Sequence, residues 1–541
     1  MNLKINLKHL PLLFLFLLAG CGGPPPVSQI QAPPPDESPA VGDTLVEGAL
    51  TEALTLNPVR ATESASSRVS SMIYQGLVKQ DKNLQSIGDL AETWEIADNG
   101  KTITFHLKKG IFWHDGLEFT SEDAYFTYSN KWFYWAQFIE TMETLDDYTI
   151  RFHYKNPFAS AVQKFAIPVI PKHVFKTHEN IYNDEFIRTA VGTGPYRFKE
   201  WRSGDELVLE ANPQYFEGMP YIKEYVFKTI PDPSMAFLSL LRGDIDLLKI
   251  TPDQYVKQCQ SDDFQKHFNV YRYPNPFSVC HFGYNEKKPF FSDKLVRKAM
   301  TMALDRQAII RDAFHGFAQL TDGPWPKSSW AYNKEITPLP YSPEKAATLL
   351  AEAGWKDTDE DGILEKDGVR FECDIMFLNG IKAYELTAWM AADYWKKVGI
   401  KASLKPCEIS VIMDACYKLS FDINLSDWSL QDPDLYYYFH RWEIPEPPEG
   451  KGGRNAVSYL NLEVCDLIQK GRTTMEIMVR TSIYHRLHEL IYEDQPYTFL
   501  CNPECLYAVA KRIHGIEVAP SGITHNYYRW YVPLAQQKYH N

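Results

Sequence analysis

Helix-then-strand units, each joined at a glycine, constrain the fold of this chain more than any other feature. The stretch SPEKAATLLAEAG has Ser342 as a helix N-cap, Pro343 at the first helical position and Gly354 beyond the helix end. KAYELTAWMAADYWKKVG, residues 382–399, repeats the pattern, and IKASLKP then predicts a strand. SMAFLSLLRGDIDLL, residues 234–248, is a third such unit. Units of this kind build an α/β sheet.

Earlier segments alternate apolar and polar residues with the period of a strand. KTITFHL, residues 101–107, and DELVLEA, residues 205–211, are typical of antiparallel strands. The body that starts near Val41 has about 500 residues, which is enough for two or three domains with large cores. We therefore expect an α/β body with hairpins early and helix–strand units later.

The first forty residues are not expected to join this body. Lys4 and Lys8 precede an apolar run that is typical of an export signal and too short for a stable membrane anchor. LAGC, residues 18–21, resembles a bacterial lipobox, which implies a signal peptide over 1–20 and diacylation of Cys21. A plain signal peptide with an incidental cysteine is the alternative. Residues 21–40 would then form a lipidated, proline-rich tether with a fully extended reach of about 60 Å.

Net charge limits the classes of binding partner, and the cysteine count bears on possible disulfides. Removal of Lys4 and Lys8 takes the formal charge from -13 to -15, because the first twenty residues contain no acid. An acidic chain argues against nucleic acid and anionic lipid as partners. Eight cysteines follow Cys21, and some can pair in an oxidising compartment. Eight cysteines allow 105 connectivities, so the sequence assigns none.

One acidic loop has the spacing of a weak calcium site. In DTDEDGILEKDG, Asp357, Asp359 and Asp361 fall at the first, third and fifth positions of a calcium loop. The twelfth position is Gly368 instead of the usual bidentate glutamate. An exposed polar hairpin turn is the favoured alternative, and we predict no resident metal and no cofactor.

Other motifs do not indicate an enzyme. GKGGR, residues 450–454, lacks the strand–turn–helix context of a phosphate loop, so we expect an ordinary loop. HRLH, residues 485–488, offers two imidazoles but too few further ligands for a metal, and a solvated helix face is expected. No nucleophile elbow or HExxH helix is present in the sequence.

The block AETWEIADNGKTITFHLKKGIFWHDGLEFTSEDAYFTY, residues 91–128, resembles the signature of extracellular solute-binding protein family 5. Three further blocks fit the same family: GTGPYRFKEW from Gly192, GYNEKKPFFSDKLVRKAMTMALDR from Gly283 and YSPEKAATLLAEAGW from Tyr341. The resemblance covers the body from about Thr44 onward. The matching signature positions are Trp94, Gly100, Phe105, Leu107, Lys108, Gly110, His114, Asp115, Gly116, Phe119, Thr120 and Asp123.

The resemblance implies a two-lobed periplasmic-binding-protein-like α/β fold of type II, cluster C style. Lobe one would hold residues 41–78, 192–283 and 505–541, with an extra subdomain at 79–191. Lobe two would hold residues 284–504. Ligand would lie between the lobes, which close over it by a hinge motion. In peptide-binding members, the ligand backbone adds to a protein strand.

The resemblance also places candidate ligand contacts on lobe two. FDINLS, residues 421–426, alternates like a half-buried strand, and Trp428 follows it. This residue matches a family tryptophan that lines the cleft, so backbone groups of Asp427 and Ser429 would pair with a bound chain. A core tryptophan at a strand end is the alternative for Trp428.

Further candidates lie on lobe one and in the following loop. The extended segment ATES, residues 61–64, would face the ligand backbone with Thr62 and Ser64. Phe126 matches an aromatic residue of the signature helix that approaches the ligand. Arg441 and Arg454 are candidates for a ligand carboxylate, although each is more often a solvated arginine.

One departure from the family pattern concerns the ligand's α-ammonium group. Peptide binders usually place an aspartate three residues after the tryptophan, where this chain has Gln431. Asp432 follows directly, before Pro433, so either Asp432 takes over the contact or the contact is absent. Asp434 is the competing acid, and helix capping explains it equally well.

The resulting prediction is a lipid-anchored, monomeric binding protein on the periplasmic or outer side of a bacterial membrane. It would capture a small solute, most simply a peptide, for the permease of an ABC importer. The alternatives are a protein of the same fold used for sensing or adhesion and, third, a surface hydrolase.

Overall fold

The computed structural model describes residues 37–61, 63–130, 133–429, 433–434, 439 and 455–539. Within these ranges the protein is a mixed α/β structure whose largest element is a sheet of twelve strands. The sheet has two halves that share one long strand. We call them the terminal half, whose strands come from both ends of the chain, and the central half, whose strands come from its middle.

The terminal half contains β1 (Gly42–Ala49), β8 (Tyr196–Arg202), β9 (Glu206–Ala211), β10 (Ile222–Thr229), β11 (Leu247–Lys249), β12 (Phe268–Pro274) and the C-terminal segment of β20 (Tyr497–Ala510). The strand β1 lies parallel to both β10 and β11, and β20 pairs antiparallel with β11 and β12. The described helices of this half are α1 (Ser64–Ile73), α5 (Pro233–Arg242), α6 (Pro252–Gln258) and α7 (Asp262–His267).

The central half has the strands β13 (Ser278–Tyr284), β14 (Ala318–Leu320), β17 (Glu372–Leu378), β18 (Lys401–Cys407), β19 (Ile423–Ser429) and the N-terminal segment of β20. Its order is β18-β17-β19-β13-β20, with β14 pairing on β20. A small hairpin of β15 (Glu365–Lys366) and β16 (Val369–Arg370) lies outside this sheet.

The described helices of the central half are α8 (Lys294–Met302), α9 (Arg306–Ala313), α10 (Pro343–Glu352), α11 (Lys382–Lys396), α12 (Ile409–Lys418), α13 (Leu462–Thr473) and α14 (Ile477–Asp494). The helix α10 begins as predicted, because the Ser342 hydroxyl accepts from the backbone N–H of Lys345. After α11, Gly399 has a φ of +83°, which a glycine adopts without strain before the chain enters β18.

A third unit lies between β1 and β8 in the chain. It contains the hairpin of β2 (Val78–Gln80) and β3 (Ser86–Gly88), a four-stranded antiparallel sheet and short helices. That sheet runs β4 (Ala91–Ala97), β5 (Thr102–Leu107), β7 (Thr149–Tyr154), β6 (Ile139–Asp146). The helices are α2 (Ser121–Tyr128), α3 (Ala161–Lys164) and α4 (Lys172–Phe175). Thr120 and Asp123, two of the signature positions, form a capping box at α2.

Two neighbouring crossings connect the halves of the large sheet. One is β20 itself, and the other is the short link between β12 and β13. The Asn502 side chain ties them together, because its amide donates to the backbone carbonyls of Asn275 and Ser278, each at 2.7 Å. A hinge between the two halves would therefore bend at these paired residues.

Each unit has its own apolar core, and the terminal half also contains a buried ion cluster. Phe237 and Trp530 belong to the core of the terminal half, Trp395 to that of the central half, and Phe105 to that of the third unit. The Arg512 guanidinium pairs with the carboxylates of Asp43 and Asp246, which are almost fully buried. Burial of these charges is compensated because each is paired and hydrogen-bonded.

The predicted domain boundaries stay predictions, but the boundary at residue 283 does not follow the strand pairing in the structure. A boundary at residue 283 would place most of β13 in lobe one, whereas β13 pairs with β19 and with the N-terminal segment of β20. Within the described ranges, none of the helices has the length and apolar character required to cross a membrane.

Candidate functional site

The strand β19, which carries the predicted cleft residues, is paired unequally on its two edges. On one edge, β13 accompanies it along its whole length, from Ile423 to Ser429. On the other edge, β17 pairs only as far as Leu425. No described strand continues that edge past Leu425, so the backbone at Asp427 and Ser429 is placed where an extended ligand chain can add to the sheet.

A small pocket opens at the ends of the neighbouring strands. It has a volume of about 280 Å³ and lies where β17 and β18 end and α11 begins. Its lining includes Phe377, Asn379, Lys382 and Pro406. Carboxyl ends of parallel strands are the usual ligand-binding edge of an α/β sheet, so this position suits a ligand side chain.

The side chain of Asp427 is already engaged by the protein. Its two carboxylate oxygens accept hydrogen bonds from the Ser278 hydroxyl at 2.9 Å and from the Tyr384 hydroxyl at 2.5 Å. Burial, followed by nearby acidic groups, raises the pKa of Tyr384 well above its ordinary value, so the phenol stays protonated and donates. The predicted role of Asp427 rests on its backbone and is compatible with these contacts.

Trp428 lies in an aromatic cluster on the other face of β19. Its side chain is only 6% exposed, and its indole N–H donates to the Pro324 carbonyl at 3.1 Å. The rings of His281 and Tyr497 lie 4.5 and 4.8 Å from it, centroid to centroid. Burial lowers the pKa of His281 to about 4, so this imidazole is neutral at pH 7. These contacts favour the core alternative, and the cleft-wall role of Trp428 stays a prediction.

The extended segment predicted at residues 61–64 is wrong at its C-terminal end. Ser64 is the first residue of α1, and Glu63 is the N-cap whose carboxylate accepts from the Ser66 backbone N–H at 2.7 Å. An acid at this place complements the positive end of the helix dipole, which strand periodicity alone does not reveal. The Ser64 side chain is exposed, and its predicted ligand contact stays a prediction.

Phe126 packs into a small apolar cluster of the third unit. It is 7% exposed and neighbours Val59, Ile170 and Phe175. Its ring lies 4.8 Å from that of His178. The described contacts of Phe126 are therefore structural, and an approach to the ligand stays a prediction.

Four candidate residues lie outside the described residues: Thr62, Asp432, Arg441 and Arg454. The same holds for the loop 450–454. The competing acid Asp434 is described, and its carboxylate lies 3.5 Å from the Arg472 Nε, with both side chains almost fully buried. The ion pair with Arg472 therefore gives a second reason for an acid at position 434, in addition to helix capping.

A large groove that the sequence did not indicate runs along α1. It encloses about 1000 Å³ between the terminal half, the third unit and the C-terminal segment of the chain. Arg68 lies in it and reaches Tyr225 at 3.1 Å and Glu47 at 3.4 Å, with the Tyr527 ring 5.2 Å away. Arg68 is four residues beyond Ser64, so both lie on one face of α1. The sequence could have indicated this only if the helix had been predicted there.

The three aspartates of the acidic loop lie close together, but an arginine side chain pairs with two of them. One ligand oxygen from each of Asp357, Asp359 and Asp361 lies within 4.8 Å of the others. The Arg370 guanidinium contacts Asp361 at 2.5 Å and Asp359 at 3.6 Å, and it lowers the pKa of Asp361. The hairpin alternative describes the backbone well, since β15 and β16 flank a turn with positive φ at both central residues.

The expectation of a solvated face at HRLH is wrong for His488. This side chain is fully buried, and its Nδ1 accepts from the Asn333 backbone N–H at 3.0 Å. Burial lowers its pKa to about 4. A Cβ at Gly323 would lie 1.8 Å from the His488 Nε2, so only glycine fits against this ring. The histidine is a core residue rather than a metal ligand.

Comparison with known proteins places these features in one family. The family described as "Bacterial extracellular solute-binding proteins, family 5 Middle" matches residues 85–447. The oligopeptide-binding protein AppA of Bacillus subtilis is 33% identical over 514 residues, covering 91% of this chain and 92% of that protein. The dipeptide-binding protein of Escherichia coli is 24% identical over 506 residues, covering 87% and 91%.

Solved structures agree with this placement. The structure of Bacillus subtilis AppA in complex with a nonapeptide has a TM-score of 0.80 and 32% identity, and covers 92% of this chain and all of that chain. The structure of NikZ from Campylobacter jejuni in complex with Ni(L-His) also has a TM-score of 0.80, with 25% identity, and covers 90% and 99%. The predicted two-lobed α/β fold is thereby confirmed.

Proposed function

The chain belongs to the bacterial extracellular solute-binding proteins of family 5, and we propose that it captures peptides outside the cytoplasm and delivers them to an ABC importer. The observation that carries this proposal is the similarity to the oligopeptide-binding AppA across 91% of the chain, together with the similar structure of its nonapeptide complex. The family consists of binding proteins, so we propose that the ligand leaves chemically unchanged.

The unequal pairing of β19 supports an extended ligand. A peptide lying beside Asp427 and Ser429 would continue the sheet through main-chain hydrogen bonds, which are independent of the peptide's sequence. Side chains would then enter neighbouring pockets, such as the one at the ends of β17 and β18. This arrangement fits a protein that accepts many peptides of similar length rather than a single one.

The test is native mass spectrometry of the protein purified without denaturation, followed by calorimetry with synthetic peptides of two, five and nine residues. A peptide mixture that co-purifies, and micromolar or tighter binding of at least one length, is expected. A metal chelate or sugar in place of peptide, with no binding of any synthetic peptide, would overturn the proposal.

Ligand binding is proposed to close the two lobes. The crossings at Asn275 and Asn502 lie side by side, so a rotation there changes the cleft without disrupting either core. Small-angle scattering should show a smaller radius of gyration after a saturating peptide is added. An unchanged radius with a peptide that calorimetry shows to be bound would contradict hinge closure.

We propose Asp432 as the partner of the peptide's α-ammonium. A buried ammonium needs a paired carboxylate, because an unpaired one costs several kcal/mol to desolvate. Asp432→Asn should therefore weaken peptides with a free N-terminus and leave N-acetylated peptides nearly unchanged. Equal weakening of both would make Asp432 a structural residue of its loop, and no weakening would place the anchor elsewhere. Arg441 and Arg454 are the proposed, lower-ranked partners of a ligand carboxylate.

The protein is proposed to be a monomer tethered to the outer side of a membrane through diacylated Cys21. Two acyl chains suffice for stable anchoring, whereas the acidic body gives no second attraction to an anionic surface. Cys21→Ala should move the protein from the membrane pellet to the soluble fraction. A variant that still pellets after a high-salt wash would contradict lipid anchoring.

A further inference from the structure

Two buried cysteines face each other across the strands that lead to the crossings. Cys280 lies in β13 and Cys501 in the N-terminal segment of β20, and they are direct cross-strand partners. Both are fully buried. Directly opposed residues of an antiparallel pair have Cα atoms about 4.5–5.5 Å apart. A disulfide requires about 4.4–6.8 Å, so the pairing of Cys280 with Cys501, beside a register shift between Cys280 and His281, has the spacing expected for one.

The two side chains also point to the same side of the sheet. Both belong to the apolar core of the central half. A hydrogen bond to the Cys501 thiol, together with burial, raises the pKa of the Cys280 thiol well above its ordinary value. Directly opposed side chains on one face of an antiparallel pair are neighbours, so bond formation needs a change of side-chain torsions but no separation of the strands.

This opposition is specific to one pair. The other three described cysteines that lie in paired strands face residues other than cysteine: Cys373 faces Ala402, Cys407 faces Leu378, and Cys505 faces Tyr273. The sequence permitted 105 pairings among eight cysteines, and the strand register favours those that join Cys280 to Cys501.

We propose that Cys280 and Cys501 form a disulfide bond in the mature protein. The proposal rests on the extracytoplasmic location given above and not on the identity of the ligand. The oxidant is a low-molecular-weight or protein disulfide. The thiolate of one cysteine attacks it, releasing one thiol and leaving a mixed disulfide. The second thiolate then displaces the remaining half, so two protein S–H bonds are lost and two thiols are formed from the oxidant.

The bond would join strands beside both crossings. Cys280 lies shortly after the β12–β13 link, and Cys501 immediately precedes Asn502, whose side chain ties the crossings together. Residues between 280 and 501 include all the described helices of the central half. Closing so long a loop restricts the unfolded chain strongly, which is how a disulfide stabilises a fold. Because both thiols are buried in the folded protein, we expect oxidation during folding rather than after it.

Peptide mapping of the full-length protein tests the proposal directly. The protein is refolded from urea with a mixture of reduced and oxidised glutathione, alkylated without reductant, and cleaved with trypsin and Glu-C. Cleavage after Glu504 separates Cys501 from Cys505. A linked Cys280–Cys501 peptide that is lost after reduction is expected. Alkylated Cys280 and Cys501, or a linked peptide joining either of them to another cysteine, would overturn the proposal.

Thermal unfolding provides a second readout. The oxidised protein should melt about 5–10 °C lower after reduction, as expected for a lost disulfide. Cys280→Ala and Cys501→Ala should abolish this dependence, whereas Cys465→Ala, a control at another buried cysteine, should retain it. An equal shift in all three variants would refute the pairing, and if the alanine variants do not fold, the mapping of the unmodified sequence decides. Peptide binding is measured separately, so failure of the proposed function leaves this result unaffected.

Discussion

Replacing Trp428 with alanine separates the two roles open to this residue. A buried tryptophan removes about 150–250 Å² from water, which corresponds to about 4–6 kcal/mol at about 25 cal/mol per Å². Core truncations of this size typically cost about 3–5 kcal/mol. Trp428 is 6% exposed, and its loss also removes the donor to the Pro324 carbonyl. We therefore expect about 4 kcal/mol of lost unfolding free energy, measured by urea denaturation.

A cleft wall adds a second effect that a core residue lacks. If the indole also contacts ligand, Trp428→Ala should weaken binding of a synthetic nonapeptide by about 2–4 kcal/mol, or about 30- to 900-fold in Kd. Calorimetry at a temperature where the variant is fully folded measures this change. Trp428→Phe keeps an aromatic ring and loses the N–H, so it should fall between the parent and the alanine variant in both assays.

Trp395 supplies a matched control. It is fully buried in the core of the central half, and its indole N–H donates to the Met300 carbonyl at 2.9 Å. Trp395→Ala should therefore cost a similar unfolding free energy but change the nonapeptide Kd by less than about twofold. Equal affinity losses in the Trp395 and Trp428 variants, or an unchanged Kd in Trp428→Ala, would refute the cleft-wall role and leave Trp428 as a core residue.

Three further predictions concern charged groups. The acidic loop should bind calcium no tighter than about 1 mM, because the twelfth-position carboxylate is missing and Arg370 competes; micromolar calorimetric binding that Asp359→Ala abolishes would contradict this. Arg512→Met should cost about 3–5 kcal/mol in urea unfolding, because two buried carboxylates lose their shared guanidinium and only Asp246 keeps an ion pair, with Lys538; the exposed control Arg311→Met should cost less than about 0.5 kcal/mol. Burial raises the pKa of Asp89 from 3.8 to about 6, so ionisation opposes folding. The parent should lose on the order of 2 kcal/mol relative to Asp89→Asn as pH rises from about 4 to about 7, and parallel pH profiles would refute the assignment.

Local signals predicted the elements well where one short stretch contains all the information. Ser342, Pro343 and Gly399 bound helices in the structure as they do in the sequence, because caps and turns depend on neighbours in the chain.

Features that depend on distant contacts were not predictable from local patterns. Charged or polar residues normally favour solvent, yet Arg512 is buried because Asp43 and Asp246 meet it from remote segments of the chain. His488 is buried because Gly323 leaves room for its ring. The sequence predicted an extended segment at Ser64 because a resemblance transfers residue positions more reliably than backbone conformation.

The C-terminal segment of the chain completes the terminal half, and this sets the order in which the two halves can fold. Asp43 and Arg512 are 469 positions apart. The strand β11 pairs with β1 on one edge and with β20 on the other, so its second edge stays unpaired until β20 has been made. A chain that emerges N-terminus first therefore makes β1 early but cannot complete the terminal half until its last segment has appeared. Residues 278–504, which contain the central half, are contiguous and can close before then. The first-made strand therefore belongs to the half that is completed last, and the N-terminal region stays incompletely paired until β20 has been made.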